Sequence, residues 1–94
     1  MSVHVACDAT EGGWHCRVTV GSDPAATRHA VTVDADDLVH LGPPGIAPEQ
    51  LVEASFAFLL EREPRESILR EFELPVIGRY FPEYEREIRR RLGG

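Results

Sequence analysis

Three times in its first third the chain alternates apolar and polar residues, and that pattern leaves few folds open. In SVHVACDA, Val3, Val5 and Cys7 alternate with His4, Ala6 and Asp8. In WHCRVTV, Trp14, Cys16, Val18 and Val20 alternate with His15, Arg17 and Thr19. In RHAVTVD, His29, Val31 and Val33 alternate with Arg28, Ala30 and Thr32. Successive side chains of a strand point to opposite faces, so each stretch predicts a strand with one buried and one solvated side. Turn residues (EGG, then GSDPAAT) separate the three. The expectation is a three-stranded antiparallel meander over residues 1–34.

The apolar residues of neighbouring strands must share a face, which limits the register to steps of two residues. Making Gly12-Gly13 the two-residue turn sets Asp8 opposite Arg17 on the polar face and Cys7 diagonal to Cys16 on the apolar one. One step away, the two cysteines stand directly opposite. Turn chemistry favours the first register.

Residues 35–94 read as helical. DADDLVHL predicts a short helix capped by Asp34, with Asp36 and Asp37 favourable in its first turn. GPPG breaks the chain, and the main helix is expected from Pro48 to about Glu63, where Pro64 stops it. Leu51, Val52, Ala54, Phe56, Phe58, Leu59 and Leu60 cover more of that helix than the ~100° stripe a surface helix needs. The helix is therefore expected to be covered on two sides, by the sheet and by the C-terminal segments. Ser55, inside the apolar arc, is expected to bond the Leu51 carbonyl. PRESILREF reads as a short helix presenting Ile68, Leu69 and Phe72, and PVIGRYF as another turn or two. A last helix after Pro82 carries Tyr84, Ile88 and Leu92, with ion pairs Glu85–Arg89 and Glu87–Arg91. No strand is expected after the main helix. The predicted class is α+β: a meander, a main helix and two or three short C-terminal helices.

Ninety-four residues make one domain, 1–94, and 43% hydrophobic with 28% charged residues is a globular composition. No apolar run is long enough to span a bilayer and no signal segment opens the chain, so the expected location is the cytoplasm. Two cysteines there are expected as buried, reduced thiols on one face. A net charge of −6 with no lysine argues against nucleic acid as a partner.

The stretch from Ser55 to Ile88 resembles one found in small bacterial proteins to which no activity is attached. FELPVIGRYFPEYE, residues 72–85, is its most specific part. The resemblance implies no catalytic residue. Pro75 and Pro82 bracket aromatic and aliphatic side chains expected to pack in the core. An exposed docking patch of Tyr80, Phe81 and Tyr84, with Arg89 and Arg90 beyond, is the functional alternative.

No serine elbow, phosphate loop or dinucleotide glycine pattern occurs, so a non-enzymatic protein without a cofactor is expected. Strand alternation places Cys7, Cys16 and His29 on one face and His4 and His15 on the other, which argues against a metal site. The expected function is a protein–protein interaction module with a protein partner or a second copy. Two alternatives stand beside it. One is a di-glycine-tailed carrier, from RRRLGG, although glycine after a last helical leucine is the usual helix stop. The other is a helix-turn-helix-like DNA-binding regulator, from ESILREFELPVIGRYF. The polar sheet face, with His4, Asp8, His15, Arg17 and Arg28, is a further surface whose use the sequence leaves open.

Overall fold

The computed structural model describes residues 2–93. Strands β1 (Val3–Ala9), β2 (Gly13–Val20) and β3 (Thr27–Asp34) lead into helices α1 (Ala35–Leu41) and α2 (Pro48–Leu60). A 3-10 turn (Arg65–Ser67), strand β4 (Glu71–Glu73) and helices α3 (Val76–Tyr80) and α4 (Tyr84–Arg91) follow. The class is α+β, but the sheet has four strands in the order β1-β2-β3-β4, and β4 runs parallel to β3.

The strand after the main helix corrects the expectation of three strands. Only one 3-10 turn of the expected PRESILREF helix forms; the chain then extends along the free edge of β3, pairing Val31 with Phe72 and Thr32 with Glu73. Phe72 turns inward while Glu71 and Glu73 stay exposed. Three residues are too few to show a period, and Ile68, Leu69 and Phe72 mimic helical spacing.

The β1–β2 register also differs from the expected one. Cys7 pairs with Cys16, Asp8 with His15 and Ala9 with Trp14, so the two-residue turn is Glu11-Gly12. Thr10 N–H closes it by donating to the Gly13 carbonyl at 2.8 Å. Gly13 is needed elsewhere: it pairs with Asp34, and a Cβ there would lie 2.1 Å from the Val33 carbonyl oxygen. The glycine serves close strand approach rather than the turn. The resulting register overturns the reading of two free thiols, because Cys7 and Cys16 form a disulfide with Cα atoms 4.0 Å apart. The pair sits between hydrogen-bonded pairs of the ladder, where opposed residues approach most closely. Cys16 is fully buried and Cys7 half-buried.

α2 is covered on two sides, as its wide apolar arc implies. Toward the sheet, Phe56 meets His29 at 5.3 Å and Phe72 at 6.1 Å between ring centroids. Toward the C-terminal helices, Phe58 meets Phe81 at 5.9 Å and Tyr84 at 5.4 Å. The helix ends at Leu60, three residues before the expected Glu63. At α1, Asp34 is the extended residue before the helix, and its N–H donates to the Asp37 carboxylate at 3.0 Å.

In α4, Tyr84 and Ile88 are buried and Leu92 is half-buried. Glu87 pairs with Arg91 at 3.7 Å, as the spacing implies, and with Arg90 at 2.7 Å. Glu85 and Arg89 instead turn to the end of α1: Glu85 lies 3.3 Å from His40, and Arg89 Nε donates to the His40 carbonyl at 3.0 Å. The guanidinium thereby satisfies a carbonyl in the last turn of α1 that has no partner within its own helix. Gly93 follows with φ +88°, its N–H 3.3 Å from the Arg90 carbonyl. That is the left-handed residue that ends a helix; Gly94 lies outside the described residues.

Candidate functional site

The residues singled out as a partner contact do not stay together. Tyr84 is 1% exposed. Its hydroxyl lies 2.7 Å from Ser55 Oγ, and Ser55 donates to the Leu51 carbonyl at 2.8 Å. Burial, only partly offset by the Ser55 bond, pushes the phenol well above its ordinary value. Tyr84 is a core residue and is withdrawn from the patch. Arg89 is held by His40 and Arg90 by Glu87. Tyr80, 66% exposed, and the half-buried Phe81 remain.

These two share a groove of ≈ 310 Å³ with Leu69, Phe72, Val76 and Ile77. Leu69, 47% exposed, is the residue the sequence placed wrongly. A helix over 65–72 buries it beside Ile68; the extended chain buries Ile68 and turns Leu69 outward. The signal was present in ILREFEL, where Ile68, Phe72 and Leu74 are separated by even steps. Glu63 and Ser67 bring polar groups to the same groove.

One wall of the groove is fixed from inside. His29 Nδ1 lies 2.8 Å from the Leu69 carbonyl and Nε2 3.0 Å from Thr27 Oγ1. A carbonyl can only accept, so Nδ1 carries the proton. His29 is buried in this role and pins the segment before β4 to β3. Phe72, packed on Phe56, holds the floor.

The far face of the sheet carries exposed His4, Asp8, His15, Arg17 and Arg28 with Glu71 and Glu73. Arg17 faces Ala6 rather than Asp8, yet it reaches Asp8 diagonally in an ion pair. Arg28 pairs with Asp23 at 2.8 Å. Exposed pairs of this kind contribute between nothing and about 1 kcal/mol.

Among the described residues, no three metal-ligating side chains cluster, and no helix is long and apolar enough to cross a membrane. The first helix required by a helix-turn-helix is replaced here by the end of the 3-10 turn, an irregular stretch and strand β4. The chain matches no protein-family model, no curated protein and no solved structure.

Proposed function

We propose that the protein is a non-enzymatic interaction module that takes a protein segment into the Leu69–Tyr80–Phe81 groove. The observation that carries the reading is the exposure of two large apolar side chains, Leu69 and Tyr80, on one concavity. Exposed apolar surface that borders a concavity marks binding sites more often than scattered surface residues do. The groove draws on α2, β4 and α3 and on the irregular segment that carries Leu69. Glu63 beside it and a chain charge of −6 favour a segment with one aliphatic or aromatic anchor flanked by a basic residue.

Selection from a displayed random-peptide library tests this. The expected outcome is enrichment of an apolar anchor next to Arg or Lys, with binding lost in Leu69→Glu and retained in His15→Ala on the sheet face. Peptides bound equally by both variants, or no enrichment, overturn the groove as the site.

The proposed compartment is the cytoplasm, and the Cys7–Cys16 disulfide bears against it, since disulfides persist chiefly in oxidising compartments. Thiol trapping in intact cells decides it. Two alkylated cysteines support that location; an intact disulfide places the protein in an oxidising compartment.

A further inference from the structure

The two edges of the sheet are guarded unequally. β4 is three residues long, presents Glu71 and Glu73, and runs into Pro75. Short length, charge and a following proline are the usual protections of an edge strand. β1 lacks the first and the last of these, and Asp8 is its one formally charged residue. It is seven residues long, VHVACDA, with no proline, lysine or arginine and an unbroken register against β2.

The direction of its free groups follows from the ladder. Gly21 N–H donates to the Ser2 carbonyl and Thr10 N–H to the Gly13 carbonyl, both at 2.8 Å. Hydrogen-bonded and non-hydrogen-bonded pairs alternate between those ends. His4, Ala6 and Asp8 therefore bond β2, whereas Val3, Val5, Cys7 and Ala9 aim their N–H and C=O groups outward. Among the described residues, no backbone group meets them. Beside this edge, Val3 borders a second concavity with Ala57 and Leu60 of α2.

We infer that β1 pairs antiparallel with β1 of a second copy, about a two-fold axis through Ala6, joining two sheets into one. The charge pattern selects this register. Matching the faces of the two sheets requires pairing residues of like parity. With the axis at Ala6 the whole strand overlaps, from Val3 against Ala9 to Ala9 against Val3. His4 then stands opposite Asp8 of the second copy, twice over, in the close non-hydrogen-bonded positions of the ladder. Ala6 against Ala6 offers no steric obstacle at the axis. Shifting the axis to Val5 or Cys7 shortens the overlap and leaves neither His4 nor Asp8 facing the other. Shifting it to Asp8 opposes two carboxylates, and to His4 two imidazoles. The outward groups supply about eight backbone hydrogen bonds. Such an interface is small, so the dimer is concentration-dependent rather than obligate.

This inference does not rest on the groove, which lies on other elements, and the two tests fail independently. Sedimentation over a range of concentrations is expected to show a monomer–dimer equilibrium. His4→Asp alone and Asp8→His alone each place like residues opposite one another and are expected to weaken dimerisation by about tenfold. Mixing the two variants is expected to restore association as a heterodimer, because every carboxylate of the His4→Asp chain then faces an imidazole of the Asp8→His chain. Ala6→Cys is expected to form a covalent dimer on oxidation, and Ser2→Cys to form none. A monomer at every concentration, dimers indifferent to either substitution, or cross-linking at position 2 rather than 6 overturns the inference.

Discussion

The two flanks of α2 are both buried, and they are held by different chemistry. On the sheet flank, Phe56 packs against Phe72 and His29, and the histidine has both ring nitrogens bonded. On the α4 flank, Phe58 lies under the Arg62 guanidinium, 3.6 Å from its ring centroid. Ser55 binds Tyr84, Arg62 binds Glu83 and Arg91 binds Glu61 there. The difference follows from what each neighbour can bury. A sheet presents rows of valines, whereas α4 has eight residues and buries only Tyr84 and Ile88. Two side chains do not fix the rotation and height of a short helix. Directional bonds supply that specification, and of these the Ser55–Tyr84 bond lies in the buried interior, where it counts for more.

The largest effects test whether the flanks are equal in bulk. Phe56→Ala and Phe58→Ala each remove a fully buried ring and are expected to cost about 3–5 kcal/mol in urea unfolding. Only the cost at Phe58 is expected to change with added salt, since charged groups frame that ring alone. Next in size is the covalent tie behind the sheet flank. Replacing Cys7 and Cys16 by serine is expected to cost about 2–3 kcal/mol by the chain-entropy account of a short loop, and the loss should leave the Ser55–Tyr84 bond intact by NMR.

A third pair of variants sharpens the polar side. Ser55 spends its proton on the Leu51 carbonyl, so Tyr84 donates to Ser55. Tyr84→Phe removes a donor and leaves Ser55 satisfied, an expected cost of about 0.5–1.5 kcal/mol. Ser55→Ala strands a buried phenol and is expected to cost more, about 1–3 kcal/mol, despite the better helix propensity of alanine. Equal losses would show that the two groups act only by filling space.

Acid is expected to give the smallest effect. Glu61 is held below its ordinary value of 4.5 mainly by the Arg91 hydrogen bond, and Glu87 by the Arg90 hydrogen bond. Glu83 is lowered first by its own backbone N–H and then by Arg62. A depressed carboxylate stabilises the fold above 4.5, and that contribution is lost as pH falls through the folded value. Asp37, raised above 3.8 chiefly by burial, acts in the opposite sense: its contribution is present at low pH and lost as pH rises through the raised value. Melting curves from neutral pH downward should therefore show the α4 flank loosening below about pH 4.5, with Phe56 contacts unaffected.

The sheet and the two-sided burial of α2 were legible because each rests on a repeated pattern. Three alternating stretches reinforce one another, and the arc from Leu51 to Leu60 is too wide for a surface helix. The disulfide was not legible because it depended on a choice between two registers, and Gly13 offered turn chemistry while serving strand approach. β4 was hidden by its length, and Leu69 went with it, since the side on which a residue lies changes when a helix becomes a strand. Of the patch named from the prolines and aromatics, Tyr80 is exposed and Phe81 half-buried beside the groove. Tyr84 was misplaced because its partner, Ser55, lies on another helix and no spacing rule connects them.

The parallel pairing of β3 with β4 has a consequence in time. β1, β2 and β3 join through short connections, a two-residue turn and a six-residue loop, and local hairpins of this kind close fast. β4 can dock only after α1 and α2 have been laid down between it and β3, so its ring closure carries more chain entropy and comes later. Besides the His29–Leu69 bond and the packing of Phe72 on Phe56, Ala30 N–H to the Arg70 carbonyl, Leu74 N–H to the Thr32 carbonyl and the few pairs between hold it at the edge. The groove wall formed by Leu69 is thus expected to assemble after the meander and to open before it. In native-state hydrogen exchange the amides of Ala30 and Leu74 should exchange ahead of those in the β2–β3 ladder, opening the Leu69–Tyr80 groove without unfolding the sheet.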